Sequence, residues 1–484
     1  MMKADVIYRL KNDPVIRAAF DAVSSAGVMA YLVGGALRNL VLSRPLGFDY
    51  DVALDSKVMD MANLLAIRLK GSPFLLDKAH GSYRITVKRD GGIFNIDLSP
   101  YNGKDILEDL NNRDFTINAM AVDINVLFRN RDVDLIDIFS GQTDAENKII
   151  REIKPEIFDD DPLRLLRAVR LSAQYGLIID KETERRIKTK AELLTTSSWE
   201  RIRDEFFLIL ECPQSVNYVK GLYELSLLHE IIPEIRGWND LAGYNLIYHA
   251  FKTLEQGEGL VNNLKAFVPE FAGSIDNSFQ MPIGNVSKKG LFKLALFIHD
   301  AGKPATIKQE GERMRFIGHE VEGEGAGKRI GRRLKLSRAA AAFISRLVRN
   351  HHRVFNLASL ERLTDRSKAH LFRAMGDRAA GDSDGFFLLL LSLADARATR
   401  GGDDPEFASF VKSLIDFYYK IYAVKMPRPI LNGNEVMEIF DVPEGAVVGR
   451  LLRKLAEAEG GGIIKNKRDA VKFIKDLMEA PKDG

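Results

Sequence analysis

Along the first 150 residues apolar positions fall in short runs; beyond residue 151 they recur at helical spacing. Met29–Val33 is an apolar run that predicts a strand. Gly34 and Gly35 follow it, and two glycines let the backbone turn tightly and approach a ligand with no Cβ in the way. Ala36–Leu42 then reads as a helix whose free N–H groups form an anion site. In Phe48–Leu54 the period is two, which places Asp49 and Asp51 on one face of a strand. Ile85–Lys88 and Phe94–Leu98 flank Asp90-Gly91-Gly92 and predict a hairpin. After residue 151 strand signals almost vanish, and Pro and Gly mark the loops. The stretch 255–290, with Gly257, Gly259 and Met281-Pro282-Ile283-Gly284, reads as an irregular insertion between helices. Gly401–Pro405 closes a helical block, and Pro427–Gly433 introduces a last small helical unit. The pattern predicts an α/β head followed by an all-helical remainder, without internal repeats.

Composition narrows this little. At 484 residues three or so domains are expected, and 46% hydrophobic with 28% charged residues is ordinary for a soluble globular protein. There is no run of 18 apolar residues and no signal-peptide pattern, so a chain outside the membrane is expected. A single cysteine, Cys212, excludes an intrachain disulfide framework or a cysteine zinc site and fits a reducing cytoplasm. A net charge of +3 is too mild to announce nucleic acid binding. Residues 328–353 differ, with nine Lys/Arg and no Asp/Glu: a path for an RNA backbone, or a solvated basic helix face.

The chemistry gathers first around Gly34 and Asp49. Two carboxylates on one strand face repel unless a cation sits between them, and Mg²⁺ with substrate phosphates meets that need. The bland alternative is a glycine turn beside a solvated Asp-x-Asp edge. Asp97, on the second hairpin strand, either completes a carboxylate cluster with Asp49 and Asp51 or is a polar residue on a solvent face. Arg113 and Asp114 pair a planar fork for phosphate with an acceptor for a hydroxyl. Asp161 and Pro162 suit a helix start, and Asp161 and Arg164 lie three apart on one face. In the helical half, His299-Asp300 ends an apolar run, where a buried His-Asp pair is costly unless it binds something.

Gly34-Gly35-Ala36-Leu37-Arg38 with Asp49-Tyr50-Asp51 resembles the nucleotidyltransferase core of DNA polymerase β-like enzymes. Leu32–Asn39 is similar to the first motif of class II tRNA nucleotidyltransferases (CCA-adding enzymes) and bacterial poly(A) polymerases, with Asn39 where the family usually has Asp. Asn112–Ala121 resembles the second motif, with Asn112 replacing its first Arg; the resemblance implies that Arg113 and Asp114 contact ribose and phosphates. Asp137–Asp144 resembles the third motif, a hinge. Asp160–Arg167 resembles the fourth, usually Glu-Asp-x-x-Arg, in which Asp161 and Arg164 imitate a template base for CTP and ATP and Arg167 joins the nucleotide site. Trp199–Glu205 resembles the fifth, a brace of the neck helices.

Leu294–Pro304 resembles HD-domain metal phosphohydrolases, with His249 before it, Asp395 after it, and His319 and His351 or His352 at second-metal positions. Imidazole and carboxylate ligands suit Mn²⁺, Ni²⁺, Fe or Zn²⁺. Cyclic phosphates or phosphate monoesters at RNA ends are the implied substrates.

The expected fold is therefore α+β: a polymerase β-like head (1–150), a helical neck (151–235), an HD domain (236–425) and a helical tail (426–484). The expected activity is addition of C and/or A from CTP and ATP to tRNA with Mg²⁺. Gly34, Gly35 and Arg38 cradle phosphates, and Asp49, Asp51 and Asp97 are the catalytic carboxylates. In the family a flexible loop before the second motif helps switch from C to A. Only Ser99–Asn111 separates Asp97-Leu98 from that motif here, which points to CC addition, with full CCA addition next. The rival classes are a poly(A) polymerase and an RNA-end phosphatase or cyclic phosphodiesterase with an auxiliary head.

Overall fold

The computed structural model describes residues 4–479 apart from 79, 90–91, 311–312, 376–383, 424–429, 432, 444, 461–463 and 465. The Asp90-Gly91 turn and Pro427–Pro429 thus lie outside the described residues. The chain divides into two compact units, 1–234 and 235–484. Among the described residues no helix is long and apolar enough to cross a membrane.

The first unit begins with helices α1 (Ala4–Asn12) and α2 (Pro14–Ala26), the latter capped by the Asp13 side chain with Pro14 at its first position. A six-stranded sheet follows, in the order β3-β4-β5-β2-β1-β6. Its strands are β1 (Ala30–Val33), β2 (Asp49–Leu54), β3 (Ser72–Asp77), β4 (Ser82–Arg89), β5 (Gly92–Pro100) and β6 (Ala121–Asp123). Among the described residues of this sheet only β2 and β5 pair in parallel; their register sets Asp49 against Asn95 and Asp51 against Asp97. Helices α3 (Gly35–Val41), α4 (Val58–Leu69), α5 (Ile106–Asn111) and α6 (Ile124–Arg129) lie between or after the strands.

Alternation along β2 sends Tyr50, Val52 and Leu54 into a core with Ile16, Leu37 and Leu65. The opposite face seats Ala53 in a smaller core with Val33, Ile106 and Leu110. That second face carries Asp49 and Asp51, so the two carboxylates stand where the apolar cover ends.

Connections between β2 and the Arg113 segment are all short: 55–57, 70–71, 78–81, 90–91 and 101–105. The last is pinned by hydrogen bonds from Asn102 N–H to Asp109 Oδ1 (2.9 Å) and from Lys104 N–H to Glu108 Oε2 (2.8 Å). Asp105 then caps α5 through the N–H groups of Leu107 and Glu108.

Helices α7 (Gly141–Glu146), α8 (Ile157–Asp160), α9 (Leu163–Tyr175), α10 (Lys181–Thr189), α11 (Trp199–Glu211), α12 (Ser215–Glu224) and α13 (Leu227–Ile231) complete the unit. Contrary to the all-helical pattern expected beyond residue 151, short strands occur there. Ile149–Ile150 and Ile178–Ile179 form a short parallel pair, and two small hairpins (Pro282–Ile283 with Val286–Ser287, Lys308–Glu310 with Arg313–Arg315) occur later. Each strand is two or three residues long, too short for a period to register in sequence.

The second unit holds α14 (Leu246–Asn262), α15 (Leu264–Phe267), α16 (Ala272–Gln280), α17 (Lys288–Ile298), α18 (Lys303–Thr306), α19 (His319–Arg333), α20 (Arg338–Asn350), α21 (Arg353–Ala358), α22 (Asp365–Ala374), α23 (Gly385–Arg400) and α24 (Pro405–Phe417). The expected irregular insertion at 255–290 is likewise corrected, because α14 runs unbroken through Gly257 and Gly259. Gly257 is there for packing: a Cβ on it would stand 2.3 Å from Leu296 Cδ1 of α17. Tertiary contact overrides the low helix propensity of glycine.

Helix α23 is buried continuously from Gly385 to Ala396, the mark of a central helix, and its Phe387 packs edge-on against Phe279 and Phe343. Gly401 ends it in a left-handed cap, closing the helical block as the sequence pattern suggests, and Asp404 with Pro405 starts α24. Helices α25 (Gly433–Phe440), α26 (Ala446–Gly460) and α27 (Lys467–Glu479) close on their own core around Val436, Leu455 and Ile474.

Candidate active site and metal centre

In the first unit a polar cavity of about 650 Å³ opens between the end of β1, the strand β2, α5, α9 and the segment 112–118. Gly34, at φ +71°, makes the turn from β1 into α3. A Cβ there would sit 2.8 Å from Asp51 Oδ2 and 3.3 Å from Arg113 Nη1, so only glycine leaves room for the carboxylate. Burial raises the Asp51 carboxyl and neighbouring Asp97 adds to the rise, against the pull of Arg113, Arg167 and the Gly35 N–H. A carboxylate in that condition gains from a cation beside it. Asp49 is exposed at the rim and accepts from Asn95 Nδ2 at 3.1 Å.

Asp97 is brought beside Asp51 by register but is engaged elsewhere. Arg84 grips it with Nε and Nη2, each 2.6 Å from a different carboxylate oxygen. Asp97 is absent from the cavity lining, whereas Gly34, Gly35, Arg38, Asp49, Asp51, Arg113, Asp114, Asp161, Arg164 and Arg167 all contribute to it.

Arg38 is buried and committed: Nη1 donates to Asn118 Oδ1 (2.7 Å), and Nη2 to Asn39 Oδ1 (3.3 Å) and the Tyr175 hydroxyl (2.5 Å). Its guanidinium also lies 4.2 Å from the centre of the Tyr175 ring. Asn39 itself braces the turn by donating to the Leu46 carbonyl. Arg113 is held by Asp109 Oδ2 at 2.9 and 3.0 Å. Asp114 is buried; burial would raise its carboxyl, yet Arg167, the Asn118 amide and the Phe115 N–H hold it below the usual carboxylate range.

The arginines of α9 recur at 164, 167 and 170, one helical face turned to the cavity. Arg170, fixed by Glu205 of α11 at 2.6 Å, and Tyr175 escaped the sequence reading. The three-residue arginine spacing was the available signal for Arg170. Tyr175 gave none, because its contact with Arg38 joins positions 137 residues apart.

The second unit gathers the other predicted ligands. His249 of α14, His299 and Asp300 after α17, His319 of α19, His351 after α20 and Asp395 of α23 converge, with His352 completing a third group of ligand atoms. His249 Nε2 lies 3.1 Å from Asp395 Oδ1 and 3.3 Å from His299 Nε2. His319 Nε2 lies 3.2 Å from both Asp300 Oδ1 and His351 Nε2.

The Nδ1 atoms of His299, His319 and His351 are each within hydrogen-bond distance of the carbonyl three residues earlier: Leu296 (2.9 Å), Phe316 (2.7 Å) and Val348 (2.7 Å). That fixes the tautomer and leaves Nε2 as the coordinating atom. Among the described residues no donor reaches the buried Asp300 Oδ1, since the His319 Nε2 that lies 3.2 Å away is left without a proton by the Nδ1 bond. Burial would lower His299, but Asp300 and Asp395 raise it to about 10, and Asp300 itself is held well below its ordinary value. Facing Nε2 atoms, an orphaned carboxylate oxygen and a buried anion pair together fit a bound cation. A cavity of about 370 Å³ adjoins, lined by Lys303, His352, Phe355, Arg400 and Phe407. Lys303 Nζ stands 2.6 Å from Asp300 Oδ2.

Two family descriptions match the chain: "Poly A polymerase head domain" over residues 30–151, and "Probable RNA and SrmB- binding site of polymerase A" over residues 176–238. An A-adding tRNA nucleotidyltransferase from Deinococcus radiodurans is 28% identical over 462 residues, covering 93% of this chain and 96% of that protein. A CC-adding tRNA nucleotidyltransferase from Geobacter sulfurreducens is 29% identical, covering 93% and 92%. Among solved structures, the Thermotoga maritima CCA-adding enzyme complexed with tRNA superposes with a TM-score of 0.60 at 21% identity, covering 98% of each chain, which establishes a shared fold.

Proposed function

We propose that this chain, a nucleotidyltransferase by its similarity to poly(A) polymerase head domains and to tRNA nucleotidyltransferases, adds cytidine to the 3′ ends of tRNA. The 3′-hydroxyl oxygen of the tRNA attacks the α-phosphorus of CTP. The bond from that phosphorus to the bridging oxygen breaks, and pyrophosphate leaves.

Asp49 and Asp51 are the residues that would hold Mg²⁺, which when bound supplies charge for the attacking oxygen and the triphosphate. Gly34 and Gly35 let the phosphates approach the backbone of the turn closely, and Arg38 adds a positive charge fixed by Asn118 and Tyr175. Arg113 and Asp114 receive the ribose side. Asp161 and Arg164 read the base, the carboxylate accepting from an exocyclic amine and the guanidinium donating to the ring. Asp97 acts through register and charge on Asp51, with Arg84 holding it in place.

The observation that favours CC addition is the run of short connections between Leu54 and Asn112, where no link is longer than Tyr101–Asp105 and that link is tied down. The chain there has no spare length for a loop that remodels the pocket from C to A. Full-length similarity to CC-adding and A-adding relatives fits a divided activity.

The decisive experiment offers purified protein tRNA lacking CCA, tRNA ending in C-C, and each labelled nucleotide with Mg²⁺. Two cytidines and no adenosine is the expected result. Adenosine on the C-C substrate alone replaces the reading with A addition, both additions with CCA addition, and a long adenosine tract with poly(A) synthesis.

The cluster in the second unit supports a separate metal-dependent phosphohydrolase activity on phosphate monoesters or 2′,3′-cyclic phosphates at RNA ends. The orphaned Asp300 oxygen amid four imidazoles carries that reading. Mn²⁺, Ni²⁺, Fe or Zn²⁺ suits the donor set. Metal analysis of the purified protein, with hydrolysis of a cyclic phosphate before and after chelation, tests it.

A further inference from the structure

Both side chains proposed to read the base already have partners within the protein. Asp161 receives a two-pronged contact from Arg201 of α11: Nη1 lies 3.2 Å from Oδ1 and Nη2 lies 2.8 Å from Oδ2. The Leu163 N–H adds 3.2 Å to Oδ1. Arg164 is turned onto backbone carbonyls, with Nη2 3.0 Å from Asn112 O and Nη1 3.4 Å from both Arg113 O and Ile157 O. An incoming base therefore meets a reading edge whose hydrogen bonds are satisfied by the protein.

The two engagements differ in kind. Arg164 rests on carbonyls it shares with the fold. Arg201 reaches in from another helix with 53% of its side chain exposed, against 30% for Asp161. An exposed ion pair of this sort is weak, since water competes with it and two side chains must be ordered to make it. It is strong enough to keep the carboxylate aimed and weak enough to be exchanged.

We infer that Arg201 is a placeholder for the base: it occupies the acceptor oxygens of Asp161 when no nucleotide is bound and yields them to an exocyclic amine. Cytosine N4 and adenine N6 carry hydrogens and repay Asp161 for the lost guanidinium. Uracil O4 and guanine O6 carry lone pairs at the same position and would face a bare carboxylate, so for them the pair stays closed. Arg201 then sets a threshold that only amine-bearing nucleotides cross, because for the others the pair stays closed. This rests on the base-reading role proposed for Asp161.

The test is equilibrium binding of CTP and UTP with Mg²⁺ to the full chain, comparing the parent with Arg201→Gln and Arg201→Ala. Taking the ratio of the two affinities cancels the general loss of one positive charge. Removing Arg201 lifts the threshold for CTP alone, so the CTP-to-UTP ratio rises about two- to fivefold, the range an exposed pair can supply. An unchanged or falling ratio overturns the placeholder and leaves Arg201 as a brace. The glutamine variant keeps the side-chain length, and its melting temperature shows that the fold is intact. Asp161→Ala separates the two levels. If that variant keeps the parent's ratio, base reading by Asp161 itself is wrong. If it erases the ratio while the Arg201 variants leave it unmoved, only the placeholder fails.

Discussion

Arg167 Nε stands 2.9 Å from Asp114 Oδ2, joining the arginine face of α9 to the segment that follows α5. Asp114 is buried and the Arg167 guanidinium is raised above its ordinary value chiefly by Asp114, so the two groups hold each other in their charged forms.

That pair has a pH signature. In the fold Arg167, the Asn118 amide and the Phe115 N–H outweigh burial and hold the Asp114 carboxyl below the ordinary aspartate range. An unfolded chain binds its proton first as the pH falls, so the stabilisation is complete above pH 3.8 and is lost as the pH drops through the lower folded value. Asp114→Asn should flatten the acid side of a plot of urea midpoint against pH. An acid limb with the parent's slope would mean that other carboxylates dominate it.

Asp49→Ala and Asp51→Ala should each lower cytidine incorporation by at least about a thousandfold, given the several kcal/mol of charge stabilisation expected of a carboxylate-held metal. Hydrolysis of a cyclic phosphate by the second unit should be spared. Loss of both activities in a folded variant would contradict two independent sites.

Gly34→Ala should be nearly as damaging without removing any functional group. Its Cβ must displace the Asp51 carboxylate from 2.8 Å, in a backbone conformation that alanine rarely adopts. Nucleotide affinity and turnover are expected to fall together; a change in affinity alone would place Gly34 away from the reacting phosphate.

His299→Ala, at the centre of the second cluster, should cut metal content and cyclic-phosphate hydrolysis while leaving nucleotide incorporation at the parent's level. Chelation should have the same effect on the hydrolysis. Metal affinity equal to the parent's would remove His299 from the ligand set.

Much of this is legible in the sequence. The period of two in Phe48–Leu54 correctly put Asp49 and Asp51 on one face, because strand geometry is set locally. The His-Asp pair was legible because polar residues ending an apolar helix need a reason. What the sequence concealed was tertiary. Gly257 and Gly259 look like breakers, yet close packing on Leu296 keeps α14 intact. Asp97 reads as a free carboxylate until register sets Arg84 opposite it on β4. Tyr175 has no local pattern, since its partner Arg38 lies 137 residues earlier in the chain.

Three of the clustered histidines are aimed in the same way, each by the carbonyl three residues before it. Each imidazole is thus oriented by its own stretch of chain and not by its fellow ligands. A centre built from independently aimed parts wears out gradually: the loss of one imidazole leaves the others pointing where they did. Affinity for the ion should then decline in steps as ligands are removed, with no single collapse of the site.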